Sequence, residues 1–184
     1  MASIPSKMIP LGTPATDFSL LDTVSGEIKS LHDLKSDVAT VIMFICNHCP
    51  YVIHVKEELV RVAKDYQSKS VSFIAISSND VIQYPQDGPD KMKEFAKENG
   101  FSFPYLYDET QDIARAYDAQ CTPDLYLFDK DLKLVYRGQL DDSRPKNDNP
   151  VNGADLRSAL DNILNSKPVN PIQRPSIGCN IKWK

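Results

Sequence analysis

The sequence predicts an α/β fold in which one mixed central β-sheet is flanked by helices, and three observations carry that prediction. "DVATVIMFI", with its core at residues 38–45, is an almost unbroken apolar and β-branched run, which suits a strand covered on both faces. Directly after it, Val52, Val55, Leu59, Val62 and Tyr66 recur at steps of three and four, so a strand passes straight into an amphipathic helix; a second apolar run, "VSFIAIS" at 71–77, starts the pattern again. Alternating β and α segments pair their strands in parallel with helices on both faces. Near the end, "DLYLFD" and "LKLVYRG" flank "KD" as two alternating runs, which predicts a hairpin and hence an antiparallel edge.

The remaining elements follow in chain order. "DFSLLDTVSGEIKSL" predicts an extra N-terminal β-hairpin turning at Ser25-Gly26. The first long helix runs to about residue 68, with Lys56, Glu57, Glu58, Arg61, Lys64 and Asp65 on its polar face. "SNDVIQYPQDGPD" is a loop interrupted by Pro85, Gly88 and Pro89; Asp90 then caps a short helix that stops at Gly100. "FPYLYD" is a short strand, "TQDIARAYDA" a helix capped by Thr110, and "GADLRSALDNIL" a closing helix with Leu156, Leu160, Ile163 and Leu164 on one side. The last stretch, with Pro168, Pro171 and Pro175 and no helical period, is an extended tail. Its Ile177, Ile181 and Trp183 imply that it folds back, since a free tail gains nothing from them. The expected division is therefore a domain at 1–166 and a tail at 167–184 docking on it.

Composition narrows the function. At 184 residues, 41% of them hydrophobic, the chain buries a core without staples. A net charge of −4 and the lack of a basic stripe exclude nucleic acid as an expected partner. "MASIPSKMIPLGTPATDFSL" is broken by Pro5, Pro10 and Pro14 and cannot supply a signal peptide's apolar core, and no window approaches the about 18 apolar residues of a membrane span. The expectation is a cytoplasmic protein with no membrane partner. Four cysteines, Cys46, Cys49, Cys121 and Cys179, are too few and too spread for a disulfide framework.

The chemistry concentrates in "VIMFICNHCPYVIHV". A CxxC where a buried strand meets a helix suits redox work, because the first helical turn offers unpaired amide N–H groups and the positive end of the macrodipole to a thiolate. On this reading Cys46 is the nucleophile. Cys49, about one turn on, resolves the mixed disulfide. Asn47 and His48 tune the pair, His48 by placing positive charge beside Cys46. Two other readings of the residues stand beside this one. A CxxC is half of a zinc site, although no second close pair accompanies it, and two buried thiols can be inert. His54, on the polar helix face, and His32, in a polar loop, receive no role.

With strand, CxxC and helix in place, the chain resembles the thioredoxin-like superfamily, and more narrowly its TlpA/ResA and AhpC/TSA-related members, over most of residues 9–166. "LGTPATDFSLLD" resembles the entry strand of peroxiredoxin-type chains, "MFICNHCPYV" the active-site turn, and "YDAQCTPDLYLFD" the segment that holds a cis-proline. The resemblance implies that the Thr122-Pro123 bond is cis and faces the CxxC, where Thr122 and Pro123 shape the groove for an incoming extended peptide. A proline ring there also crowds out a metal. Three departures matter. A peroxiredoxin has Thr or Ser three residues before its reactive cysteine; that position is Met43 for Cys46 and Cys46 itself for Cys49. Thioredoxin has a buried acid six residues before its first cysteine, where this chain has Thr40. Its Gly-Pro is here Asn-His, which is closer to protein disulfide isomerase or DsbA and to a less reducing couple.

Two candidate accessory thiols remain. Cys121, two residues before Pro123, either packs beneath the turn or relays a disulfide; Cys179 either resolves or regulates, or is idle in a tail docked elsewhere. "YRGQLDDSRP" gathers Arg137, Asp141, Asp142 and Arg144, read as a solvated charged loop. The expected function is a thiol-disulfide oxidoreductase with no bound cofactor or metal, its partners a disulfide-containing protein or small molecule and an electron-donating thiol system. The alternatives are a thiol peroxidase of AhpC/TSA type and, behind it, a zinc-binding or interaction module.

Overall fold

The computed structural model describes residues 3–184. The elements are β1 (Ser3–Pro5), β2 (Ser19–Asp22), β3 (Ile28–Ser30), α1 (Leu31–Leu34), β4 (Ala39–Phe44), α2 (Pro50–Gln67), β5 (Val71–Ser77), α3 (Pro89–Glu98), β6 (Tyr105–Tyr107), α4 (Asp112–Ala116), β7 (Cys121–Thr122), β8 (Asp124–Asp129), β9 (Leu134–Gly138), α5 (Ala154–Leu164) and β10 (Ile177–Asn180), with a single 3₁₀ turn at Pro85–Asp87.

A seven-stranded sheet runs in the order β3-β2-β6-β5-β4-β8-β9. β4, β5 and β6 are parallel neighbours, while β8 and β9 on one side and β2 and β3 on the other join antiparallel. This is the expected mixed sheet, with β2 and β3 as its N-terminal hairpin. All six residues of β4 are buried because both faces of the sheet are covered. Val41 and Met43 point into one core with Val52 and Leu59 of α2, Met92 of α3 and Leu156 of α5. Ile42 and Phe44 point into the other with Leu31, Ala114, Tyr117 and Ile181.

Several local expectations are corrected. The N-cap of α3 is Gly88, not Asp90, because Pro89 occupies the first helical position, where its missing N–H costs nothing. α4 is capped by Gln111 in the left-handed region rather than by Thr110, and it spans only Asp112–Ala116. His32 lies in α1 rather than a loop. Glu58, placed on the polar face of α2, is buried, where Arg157 of α5 and Arg61 pair with it. His54 is half-buried and lines a small cavity with Pro123 and Leu140.

Residues 177–180 form β10, the middle strand of a second sheet ordered β1-β10-β7. Beyond β10, Ile181 N–H donates to Gln120 O, Asp80 N–H to Lys182 O and Lys182 N–H to Asn79 Oδ1. Trp183 lies under the guanidinium of Arg115, 4.4 Å from ring centroid to cation. β10 thereby brings the end of the chain alongside β7, with Cys179 opposite Thr122.

Candidate active site

β4 ends at Phe44, and Ile45 N–H still donates to Ile76 O of β5, so Cys46 is the first residue released from the sheet. α2 does not begin there. Pro50 is at its first position and Cys49 is its N-cap, with the extended backbone of a capping residue (φ −68°, ψ 122°). The expectation that Cys46 occupies the first helical turn is therefore corrected: Cys49, not Cys46, faces the unpaired amides. The reason is the proline, whose fixed φ starts the helix one residue after Cys49.

The Thr122-Pro123 peptide bond is cis, as the resemblance implies. Thr122 faces both cysteines. Cys46 Sγ lies 3.4 Å from Thr122 Oγ1, and the Cys49 thiol reaches Thr122 O at 3.1 Å. Both sulfurs are buried, at 1% and 0% exposure. The two thiols are neighbours that influence each other in opposite senses, the Cys46 thiol pushed well up and the Cys49 thiol held down. For Cys49 the neighbouring Cys46 thiol is the largest influence; burial opposes it, and Thr122, Cys179 and the Val52 N–H reinforce it. For Cys46 the neighbouring Cys49, then burial, then the Asp87 carboxylate push the thiol well up.

Asp87 is the residue sequence reasoning missed. It ends the 3₁₀ turn, is fully buried, and accepts three hydrogen bonds: from Asn47 N–H at 2.9 Å, from Asn79 Nδ2 at 2.8 Å and from His48 Nδ1 at 2.6 Å. Its only sequence signal is a carboxylate inside the proline-flanked "YPQDGP". Asn47 is held further by Nδ2 donating to Gln86 O and by Tyr105 OH donating to its Oδ1. His48 stacks on Tyr84, with ring centroids 5.3 Å apart, and its Nε2 is buried without a partner. The imidazole of His48 is tied to the Asp87 carboxylate, and that carboxylate pushes the Cys46 thiol up.

Cys46 Sγ, a His48 nitrogen and an Asp87 oxygen lie within 4.8 Å of one another, the one cluster of three such donors among the described residues. A closed zinc site takes four tetrahedral ligands. Here two of the three are hydrogen-bonded together, so the donor set fits a proton path better than an ion.

The accessory thiols separate. Cys179 on β10 pairs with Thr122 across the strands; burial, then the neighbouring Cys49, push its thiol up to about 12. Cys121 faces away: its thiol lies 3.7 Å from Pro123 O, and burial pushes it up. Arg137, expected in a solvated cluster, is fully buried. It donates to Asp124 Oδ2 at 3.0 Å and to Asp118 O at 2.8 Å, 4.5 Å over the Tyr126 ring. Asp141 is likewise buried and accepts from the Asn152 and Gly153 amides that lead into α5, while Arg144 donates to Gln139 Oε1 and Ser143 O. Arg137 approaches the site through Asp124 beside Pro123, and Asp141 and Arg144 line a small cavity with Pro123.

No curated protein matches the chain. Solved structures do. An uncharacterized conserved protein from Geobacillus kaustophilus is 61% identical, with a TM-score of 0.99 over 100% of this chain and 97% of its own. A hypothetical protein from Sinorhizobium meliloti 1021 is 44% identical, with a TM-score of 0.95 over 98% of each chain. The thioredoxin domain of a thiol-disulfide oxidoreductase from Bacteroides vulgatus, 17% identical, superposes with a TM-score of 0.60 over 71% of this chain and 89% of that one, a likeness of fold alone. The model of the AhpC/TSA family matches residues 11–137, which hold the buried dithiol and the cis-proline. On a thioredoxin-like fold, the chain belongs to the AhpC/TSA family of redox proteins.

Proposed function

We propose that the chain is a thiol-disulfide oxidoreductase in which Cys49 attacks and Cys46 resolves, the reverse of the order expected from spacing alone. The observation that carries this is the position of Cys49 at the N-cap of α2, where the unpaired amides of the first turn, the Val52 N–H among them, favour a thiolate. The Cys49 thiolate attacks one sulfur of a disulfide; a Cys49–substrate bond forms, the substrate's S–S bond breaks, and its other half leaves as a thiolate that takes a proton from solvent. Cys46 then loses its proton, attacks Cys49 Sγ and expels the second thiol. Asp87, within 4.8 Å of the Cys46 sulfur and backed by His48, is the acceptor for that proton.

Trapping tests the order. With glutathione disulfide as oxidant, and with Cys179 also replaced by serine in both variants, Cys46→Ser retains an adduct at Cys49 and Cys49→Ser retains none at Cys46. The opposite pattern restores Cys46 as nucleophile, and no adduct in either variant overturns the reading.

A peroxidase reading has one observation in its favour: the sulfurs are buried, so a small oxidant reaches them more easily than a protein does. Cys49 would then become a sulfenic acid, releasing water or alcohol, and Cys46 would condense with it to a disulfide and water. Peroxide-dependent turnover in a coupled thiol assay, lost in Cys49→Ser, separates this activity from disulfide exchange.

A further inference from the structure

The tail strand brings a third thiol to the dithiol in a manner that packing alone does not demand. β10 runs antiparallel to β7 with Cys179 opposite Thr122, the residue whose carbonyl receives the Cys49 thiol. On its other edge β10 pairs with β1, Ser3 opposite Cys179. Gly178 lies so close to Thr122 that a Cβ would stand 2.0 Å from Thr122 O, so no other residue permits this approach. Cys46, Cys49 and Cys179 share one core cluster, and Cys179 is buried within it. The strand therefore lies along the edge that borders the Cys49 sulfur and presents a cysteine to it.

We propose that Cys179 is an internal disulfide partner of Cys49, so that the oxidised chain exchanges between a Cys46–Cys49 and a Cys49–Cys179 disulfide. This rests on Cys49 being the reactive thiol, as argued above. In the exchange the Cys179 sulfur attacks Cys49 Sγ, a Cys49–Cys179 bond forms and the Cys46–Cys49 bond breaks. Cys46 leaves as a thiolate and takes up a proton in place of the one Cys179 releases, so no electrons enter or leave. The two-electron oxidation that starts the cycle comes from a disulfide substrate, which departs as two thiols.

The surroundings suit the step. Burial, the largest influence holding the Cys179 thiol up, persists, but the contribution of Cys49 vanishes once Cys49 is neutral in a disulfide, whereas Lys182 continues to favour the Cys179 thiolate. Cys46 remains beside Asp87, which disfavours its thiolate: this slows its departure but keeps it protonated once expelled, drawing the exchange toward the Cys49–Cys179 bond. Cys121 takes no part, because its thiol is turned to Pro123 O. The consequence is a tail whose hold on the groove is redox-linked: with the Cys49–Cys179 bond formed, β10 is tied over Thr122 and Cys46 is free.

The test uses the full-length chain, glutathione disulfide, acid quenching, alkylation and non-reducing peptide mapping. Wild type is expected to show Cys46–Cys49 and Cys49–Cys179 linked peptides together. In Cys46→Ser the glutathione adduct at Cys49 is expected to convert to Cys49–Cys179, leaving about tenfold less adduct than in Cys46→Ser with Cys179→Ser, since a tethered thiol acts at high effective concentration. Equal adduct in both variants, or a wild type showing only Cys46–Cys49, overturns the inference while leaving the dithiol mechanism standing. A wild type with no disulfide at Cys49 overturns both. Because the wild-type map stands without substitutions, misfolding of a variant does not shield the proposal.

Discussion

At the dithiol, the surroundings of the two sulfurs decide which carries charge. The neighbouring Cys46 thiol, then Thr122, Cys179 and the Val52 amide, favour charge on Cys49 and hold its thiol below the about 8.5 of a free thiol. The charge is present above the lowered value and is lost as pH falls through it. Ultraviolet thiolate absorbance should show this midpoint, and Cys46→Ala, which removes the largest of these influences, should move it upward; an unmoved midpoint would show that Cys46 does not hold it down. Asp124 shows the opposite balance. Burial pushes its carboxyl up to about 6 against the opposing charge of Arg137. A carboxyl with a folded value above its unfolded value of about 3.9 binds more protons folded than unfolded between the two, so its contribution to stability declines as pH rises toward 6. Arg137→Met leaves that charge unpaired and should cost about 3–5 kcal/mol near neutral pH, with a smaller loss near pH 5, where Asp124 is protonated. Denaturant melts at the two pH values check the difference, and equal losses would refute it.

At the element scale, the site depends on where each element starts and stops. Proline at the first position of α2 makes Cys49 the cap, and proline at the first position of α3 makes Gly88 the cap. In both cases the fixed φ outweighs the cap preference read from neighbouring residues such as Asp90. The short turn at 85–87 exists to deliver Asp87 beneath Asn47 and His48, with its amides closed back on Tyr84 and Pro85. β10 depends on Gly178. In Gly178→Ala the new methyl meets backbone at Thr122, not a side chain that can move aside, so β10 must separate from β7. A loss of about 1–3 kcal/mol is expected, with faster alkylation of Cys49 as the strand lifts. Unchanged melting and unchanged alkylation together would show that β10 does not guard the sulfur.

Across the whole molecule, the final residues stitch the two cores together: Cys179 belongs to the core under α2, and Ile181, two residues on, to the core on the opposite sheet face. Ile181→Ala should therefore cost about 2–5 kcal/mol and also speed thiol alkylation at Cys49, a site in the other core; a stability loss without a change in alkylation would uncouple tail docking from the dithiol. The architecture was legible in the sequence wherever one period repeated over a long enough segment. β4, β5 and α2 stood out because a strand buried on both faces is continuously apolar and a half-buried helix is not. The cysteine pair and the Thr-Pro segment were legible too, since each is a local feature of a few residues. The sequence by itself therefore determined the α/β class, the dithiol and its cis-proline. The place of Asp87, the burial of Arg137 and the pairing of Cys179 with Thr122 across the strands arise only on folding. Each is a contact between residues dozens of positions apart with no period to announce it, and a carboxylate, a guanidinium and a thiol read alike in a loop until packing removes the water around them.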